Sequence, residues 1–146
     1  MALPAYGAGG ADAEAVTIRL VSVTTNAKWL VDRAPKRVSN PGDVVWFKST
    51  LRNERPQFGK PKGAVVGSDV ATVKIVSRST VDLKVTVRLP GGTLRASRRI
   101  REGDSKPTIR VTGGTGTFAN ARGTGVSSSV GPSGARALNV YRLLLP

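Results

Sequence analysis

The sequence predicts an all-β domain, a sandwich or a barrel, with little or no helix. The first reason is a hydrophobic period of two. Val81-Asp82-Leu83-Lys84-Val85-Thr86-Val87-Arg88-Leu89 alternates apolar and polar without a break, the pattern of a strand with one buried face. The second is punctuation: the 17 glycines and 9 prolines fall largely between such segments and mark turns. The third is the lack of any amphipathic helix of convincing length; a short helical turn around Thr115 to Ala121 is the one helical candidate.

The elements follow in order. Residues 1–15, MALPAYGAGGADAEA, read as a flexible N-terminal segment, and residues 16–146 as a single domain. Strands are expected at 16–23, 42–51, 62–68 and 70–77. In the segment 81–89, alternation puts Val81, Leu83, Val85, Val87 and Leu89 on one buried face. Pro90-Gly91-Gly92 then turns the chain, and 93–100 returns as the second arm of a hairpin. Further strands are expected at 108–112, 122–130 and 136–144. Seven to nine strands in a chain of this length suit a sandwich or a barrel, and a closed barrel removes the aggregation hazard of free edges.

The stretch Ile109 to Gly125, IRVTGGTGTFANARGTG, fits G-x-G-x-x-A at Gly114, Gly116 and Ala119. A dinucleotide site needs a helix opening at that point and an acidic residue about 20 positions on. Gly123 and Gly125 oppose a helix, and no Asp or Glu occurs after Asp104. No Lys-Ser or Lys-Thr completes a P-loop either. The glycines Gly113, Gly114, Gly116 and Gly123 therefore serve backbone geometry, and Phe118 plugs the domain beside their turn.

Composition narrows the chemistry. With 146 residues the chain holds a real core without staples. Cysteine and histidine are both absent, which excludes disulfides, thiolate or imidazole metal sites and histidine-based triads. No metal site and no cofactor is expected. The net charge of +14 favours polyanions as partners. The cations are scattered, however, and the densest patch, Arg98-Arg99-Ile100-Arg101, contains none of the seven aromatics, so specific nucleic-acid binding is not expected. Lys84, Arg88, Arg95, Arg99 and Arg110 fall on polar strand faces, a basic exterior. No apolar run approaches the roughly 20 residues of a transmembrane helix. The N-terminal segment reads as a mature terminus behind an added Met, so export with the leader removed is expected, with a cytoplasmic location as the alternative.

Four segments, in order, carry a family resemblance. Gly42-Asp43-Val44-Val45-Trp46-Phe47 with Leu51 resembles the GDxxxF…L segment of the dirigent and allene oxide cyclase barrel superfamily. Gly59-Lys60-Pro61-Lys62-Gly63 is similar to its next strand entry, Gly91-Gly92-Thr93-Leu94 to its GGTL hairpin, and VTGGTGTFANARG, 111–123, to its GGTGxFxxARG signature. The resemblance spans roughly 16–145. It implies an eight-stranded antiparallel β-barrel, often a homotrimer, with an apolar cavity open at one end that confines a reactive small molecule. It also implies dirigent stereocontrol or a cofactor-free cyclase or isomerase activity. Dirigent proteins carry acidic residues just after the aromatic of the first segment, where this chain has Lys48 and Ser49. Another acid, found in some directly after GGTG, is Thr117 here. The resemblance thus carries over the fold rather than the reaction.

Within that frame the candidate cavity residues are Trp46, Lys48, Arg98, Thr117, Arg122 and Tyr141. Parity places Leu94, Ala96, Arg98 and Ile100 on one face. If that face lines the barrel, Arg98 points inward, where its planar donor fork suits a ligand carboxylate or phenolate. Trp46 would line the wall with Lys48 at the rim, opposite Phe47. Arg122 either anchors its turn or enters the cavity, and Tyr141 offers a phenolic proton. The functional expectation is a barrel that binds, and orients or cyclises, an apolar molecule bearing an anionic group. The alternative is a secreted, non-enzymatic protein that uses its basic exterior on an anionic polymer or cell surface.

Overall fold

The computed structural model describes residues 13–104 and 108–146; the expected flexible segment therefore lies almost entirely outside the described residues. Eight strands are present: β1 (Glu14–Val31), β2 (Val44–Asn53), β3 (Val65–Ser77), β4 (Thr80–Leu89), β5 (Gly92–Arg101), β6 (Thr108–Gly116), β7 (Arg122–Ser129) and β8 (Arg136–Leu145). Each pairs antiparallel with the next, and β8 returns to β1, so the sheet closes into a barrel. The alternation in β4 forces this choice of faces: Lys84 and Arg88 are exposed while Val87 and Leu89 are buried.

Two elements differ from the sequence expectation. The separate strands at 62–68 and 70–77 are one strand, β3, entered at Val65 through an irregularity opposite Leu51 and Arg52. The first strand runs on to Val31, well past 23. Its pairing with β8 ends at Val23, but β2 continues beside it as far as Val44. The segment 24–31 is exposed throughout, so it lacks the one-sided burial that produces a readable alternation.

The interior is filled unevenly. Towards the end formed by the β4–β5 and β6–β7 turns, inward positions hold Leu20, Leu51, Val87, Leu94 and Val111, all completely buried. Phe118, 3% exposed, closes that end with Ala121. The stretch Thr115 to Ala121 is not a helix but a pair of tight turns, with Phe118 N–H donating to Thr115 O at 3.1 Å and Ala121 N–H to Phe118 O at 3.0 Å. Gly114 makes this plug possible. A Cβ there would lie 2.3 Å from Thr93 O and 2.6 Å from Phe118 O. In the other half, inward positions carry Ser22, Ser49, Asp69, Ala71 and Ser127. These small or polar side chains cannot fill the bore, and it stays open.

Candidate functional site

The unfilled half is a cavity of about 310 Å³, about ten water molecules' share of liquid and at the small end of ligand pockets. Its walls are apolar, with Phe47 from β2, Leu83 and Val85 from β4, Ile100 from β5 and Ile109 from β6. Polar groups gather among them. Ser22, Ser49, Asp69 and Asn139 are all buried, and Ser127 Oγ donates to Asn139 Oδ1 at 2.8 Å.

Asp69 is the chemically distinctive residue. It is 8% exposed and lines the cavity from β3. Register puts it beside Ser49 on β2 and Val87 on β4. Burial pushes its carboxyl up from 3.8 to about 6, and the hydrogen bond from the Ser49 side chain only partly offsets this. A carboxyl poised there changes protonation close to neutral pH, the requirement for a group that both takes and returns a proton.

Tyr141 enters the same cavity from β8. Burial, reinforced by the Asp69 charge, pushes its phenol upward, so it stays a neutral hydroxyl. Its ring lies over Gly125, its partner on β7. A Cβ at Gly125 would fall 2.7 Å from the ring edge, which makes glycine there the condition for the tyrosine's placement. Arg98 lines the cavity from β5 on the side of the mouth. Its Nη1 donates to Thr108 O at 2.8 Å and its Nη2 to Asp104 Oδ2 at 3.0 Å. These bonds aim its guanidinium along the rim.

Arg98 and Tyr141 are thus the sequence candidates that the cavity brings together. Trp46 and Lys48 occupy the other parity of β2. Phe47 and Ser49 face inward, in step with the buried Leu51 and Asn53. Lys48 is exposed, and a lysine cannot enter a dry bore without a partner, so it carries Trp46 with it to the outer face. There the Lys28 ammonium sits 4.8 Å from the Trp46 ring centroid. Thr117 and Arg122 belong to the plugged end. Thr117 is exposed, with its N–H on Gly91 O at 2.9 Å. Arg122 Nη1 donates to Thr112 O at 2.9 Å and Ala121 O at 2.8 Å, an anchor for the turn.

The strand pattern does not single out Asp69, because the residue falls between the strands expected at 62–68 and 70–77. The signal was available: Gly67, Asp69, Ala71 and Val73 alternate with Ser68, Val70 and Thr72. An acid is therefore present in the cavity, on the strand next to Ser49 and in register with it. Among the described residues no three carboxylates gather as a metal site would require.

No family model matches the chain, and no curated protein matches it in sequence. Solved structures do match. The chain is similar to pyocyanin demethylase, with a TM-score of 0.67 and 22% identity over 88% of this chain and 99% of the other. It is similar to a pterocarpan synthase dirigent protein, with a TM-score of 0.65 and 19% identity over 91% of this chain and 84% of the other. A third is the Diels–Alderase AbmU from Streptomyces koyangensis, with a TM-score of 0.65 and 12% identity over 92% and 69% of the two chains. At 12–22% identity these likenesses are ones of fold: this chain shares its closed eight-stranded β-barrel with the demethylase, the dirigent protein and the Diels–Alderase.

Proposed function

We propose that the barrel binds one small apolar molecule and catalyses a proton relocation on it, an isomerisation or cyclisation without a cofactor. The observation that carries this is a buried carboxyl, Asp69, the one acid among the described residues lining the cavity, shifted to about 6 by burial among largely apolar walls. Asp69 removes a proton from the ligand and returns it elsewhere, so no electrons are exchanged with a co-reactant. Tyr141 donates a hydrogen bond to developing negative charge nearby. Arg98 at the mouth pairs with a ligand carboxylate or phenolate, which orients the molecule with its anionic end outward and its reacting end towards Asp69. The names of the similar structures, a demethylase and a Diels–Alderase among them, fit small-molecule chemistry inside such a bore. The proposed setting is extracellular.

Thermal-shift screening against fatty acids, phenols and polyketides tests the binding step. Stabilisation by a ligand is expected, and it should vanish in Ala71→Trp, which fills the bore. No stabilisation by any apolar compound, or binding that survives Ala71→Trp, would sink the proposal. Retention on heparin would point instead to the basic exterior as the working surface if it persisted above about 0.5 M salt, where diffuse attraction is screened.

A further inference from the structure

The apolar residues that the barrel leaves in water are concentrated at its mouth. Among the described residues the large exposed hydrophobics at that end are Trp29, Leu30 and Val31 on the projecting part of β1 and Val38 in the following loop, while Val130 lies in an outer groove with Arg52, Glu54 and Lys62. Leu30 and Val38 are more than half exposed, at 51% and 54%. Val38 is not on a loose tail. The Asn40 amide donates to Arg33 O, Pro35 O and Val38 O at 3.0, 2.9 and 2.7 Å. The buried Asp43 carboxylate receives the Arg33 and Asn40 N–H groups at 2.7 and 2.9 Å.

Cations surround these residues. Arg33, Lys36, Arg37, Arg78, Arg101 and Arg136 are all exposed at the same end. The nearby carboxylates are mostly engaged: Asp43 is buried, Asp32 accepts the Arg37 N–H at 3.0 Å, and Asp104 pairs with Arg98. Glu102 is exposed. An apolar tip with a tryptophan, ringed by arginine and lysine, is the composition that settles at the headgroup level of an anionic bilayer.

We propose that the mouth of the barrel docks on an anionic lipid surface, with Trp29, Leu30 and Val38 seated among the headgroups. The depth is limited by the backbone. Beyond Thr24, whose N–H still donates to Ala135 O at 3.0 Å, β1 is paired on one side only among the described residues, and unpaired peptide groups are not carried into hydrocarbon. The docking is therefore interfacial. On the ligand-binding reading proposed above, an apolar ligand passes from bilayer to cavity without crossing bulk water.

The test uses Trp46→Phe, which leaves Trp29 as the one tryptophan of the two in the chain, and which must first match the parent in its thermal melt. Vesicles of phosphatidylcholine with about 30 mol% phosphatidylglycerol, at about 0.15 M salt, are the probe. Expected are sedimentation with these vesicles but not with pure phosphatidylcholine, and a blue shift of Trp29 emission quenched by lipids brominated near the headgroup. In a Leu30→Ser, Val38→Ser double variant the partition coefficient should fall about tenfold, while Leu144→Ser, at the plugged end, should leave it unchanged. Sedimentation without quenching would mean charge-only adsorption, and an equal loss in Leu144→Ser would mean apolar contact away from the mouth; either would overturn the proposal. So would absence of sedimentation, or an oligomer that the double variant dissociates, since a second copy would then cover Leu30 and Val38. Ligand binding is measured without vesicles, so the two proposals fail independently.

Discussion

Replacing Asp69 with Asn tests the electrostatics of the cavity directly. In the unfolded chain the carboxyl titrates near 3.8, and in the barrel near 6 because burial penalises its charge. Between those values the native state holds a proton that the unfolded state has released. The group's contribution to stability is therefore best in acid, falls as pH rises from about 4 to about 6, and is level above that. At about 1.4 kcal/mol for each tenfold change in proton affinity, the ionised group costs the fold about 3 kcal/mol at pH 7.5. Asn keeps similar shape and can hydrogen-bond to Ser49, but it carries no charge. The variant should gain up to about 3 kcal/mol at pH 7.5 and almost nothing at pH 4. Urea unfolding of both proteins across pH 4 to 8 reads this as a difference that grows and then levels. A variant no more stable than the parent at pH 7.5, or a difference flat with pH, would refute the argument that burial controls Asp69.

The remaining predictions concern packing and chemistry. Phe118→Ala, at the plugged end, should cost about 3–5 kcal/mol in chemical denaturation, because the side chain is fully enclosed. Gly125→Ala should cost about 1–3 kcal/mol and displace the Tyr141 ring, read as a changed tyrosine signal in near-ultraviolet circular dichroism. Once a ligand with an acidic C–H is found, its exchange with D₂O should accelerate as pH rises through about 6, as Asp69 ionises, and that step should vanish in Asp69→Asn. Asn40→Ala removes an amide whose two N–H groups are shared among three loop carbonyls and should raise hydrogen exchange in 33–42 while leaving β4 protected.

What could be read in advance follows from burial. Strands with one dry face and one wet face, such as β4 and β5, declare their parity in plain alternation, and both arms of that hairpin were legible. The glycine cluster declared itself through the close backbone approach that it permits. The cavity half obeys the opposite rule. Several of its inward positions are polar or small, so Asp69 reads as a strand break, and the apolar run Val44 to Phe47 shows no parity apart from the burial of Leu51. Trp46 therefore reads as a wall residue, although Phe47 is the one that faces the cavity. The end of β1 escaped notice because both of its faces meet solvent, and periodicity has nothing to record where burial is not one-sided.

The uneven filling of the bore has a consequence for how such a protein can change. Folding free energy is concentrated in the plugged half, where Leu20, Leu51, Val87, Leu94 and Phe118 interlock. Positions 22, 24, 47, 71, 83 and 126 line a space that already lacks packing partners. Substitutions there remove few contacts, so the upper wall tolerates variety that the plug does not. One half of the barrel acts as a foundation, and the other is free to be recut for a new occupant.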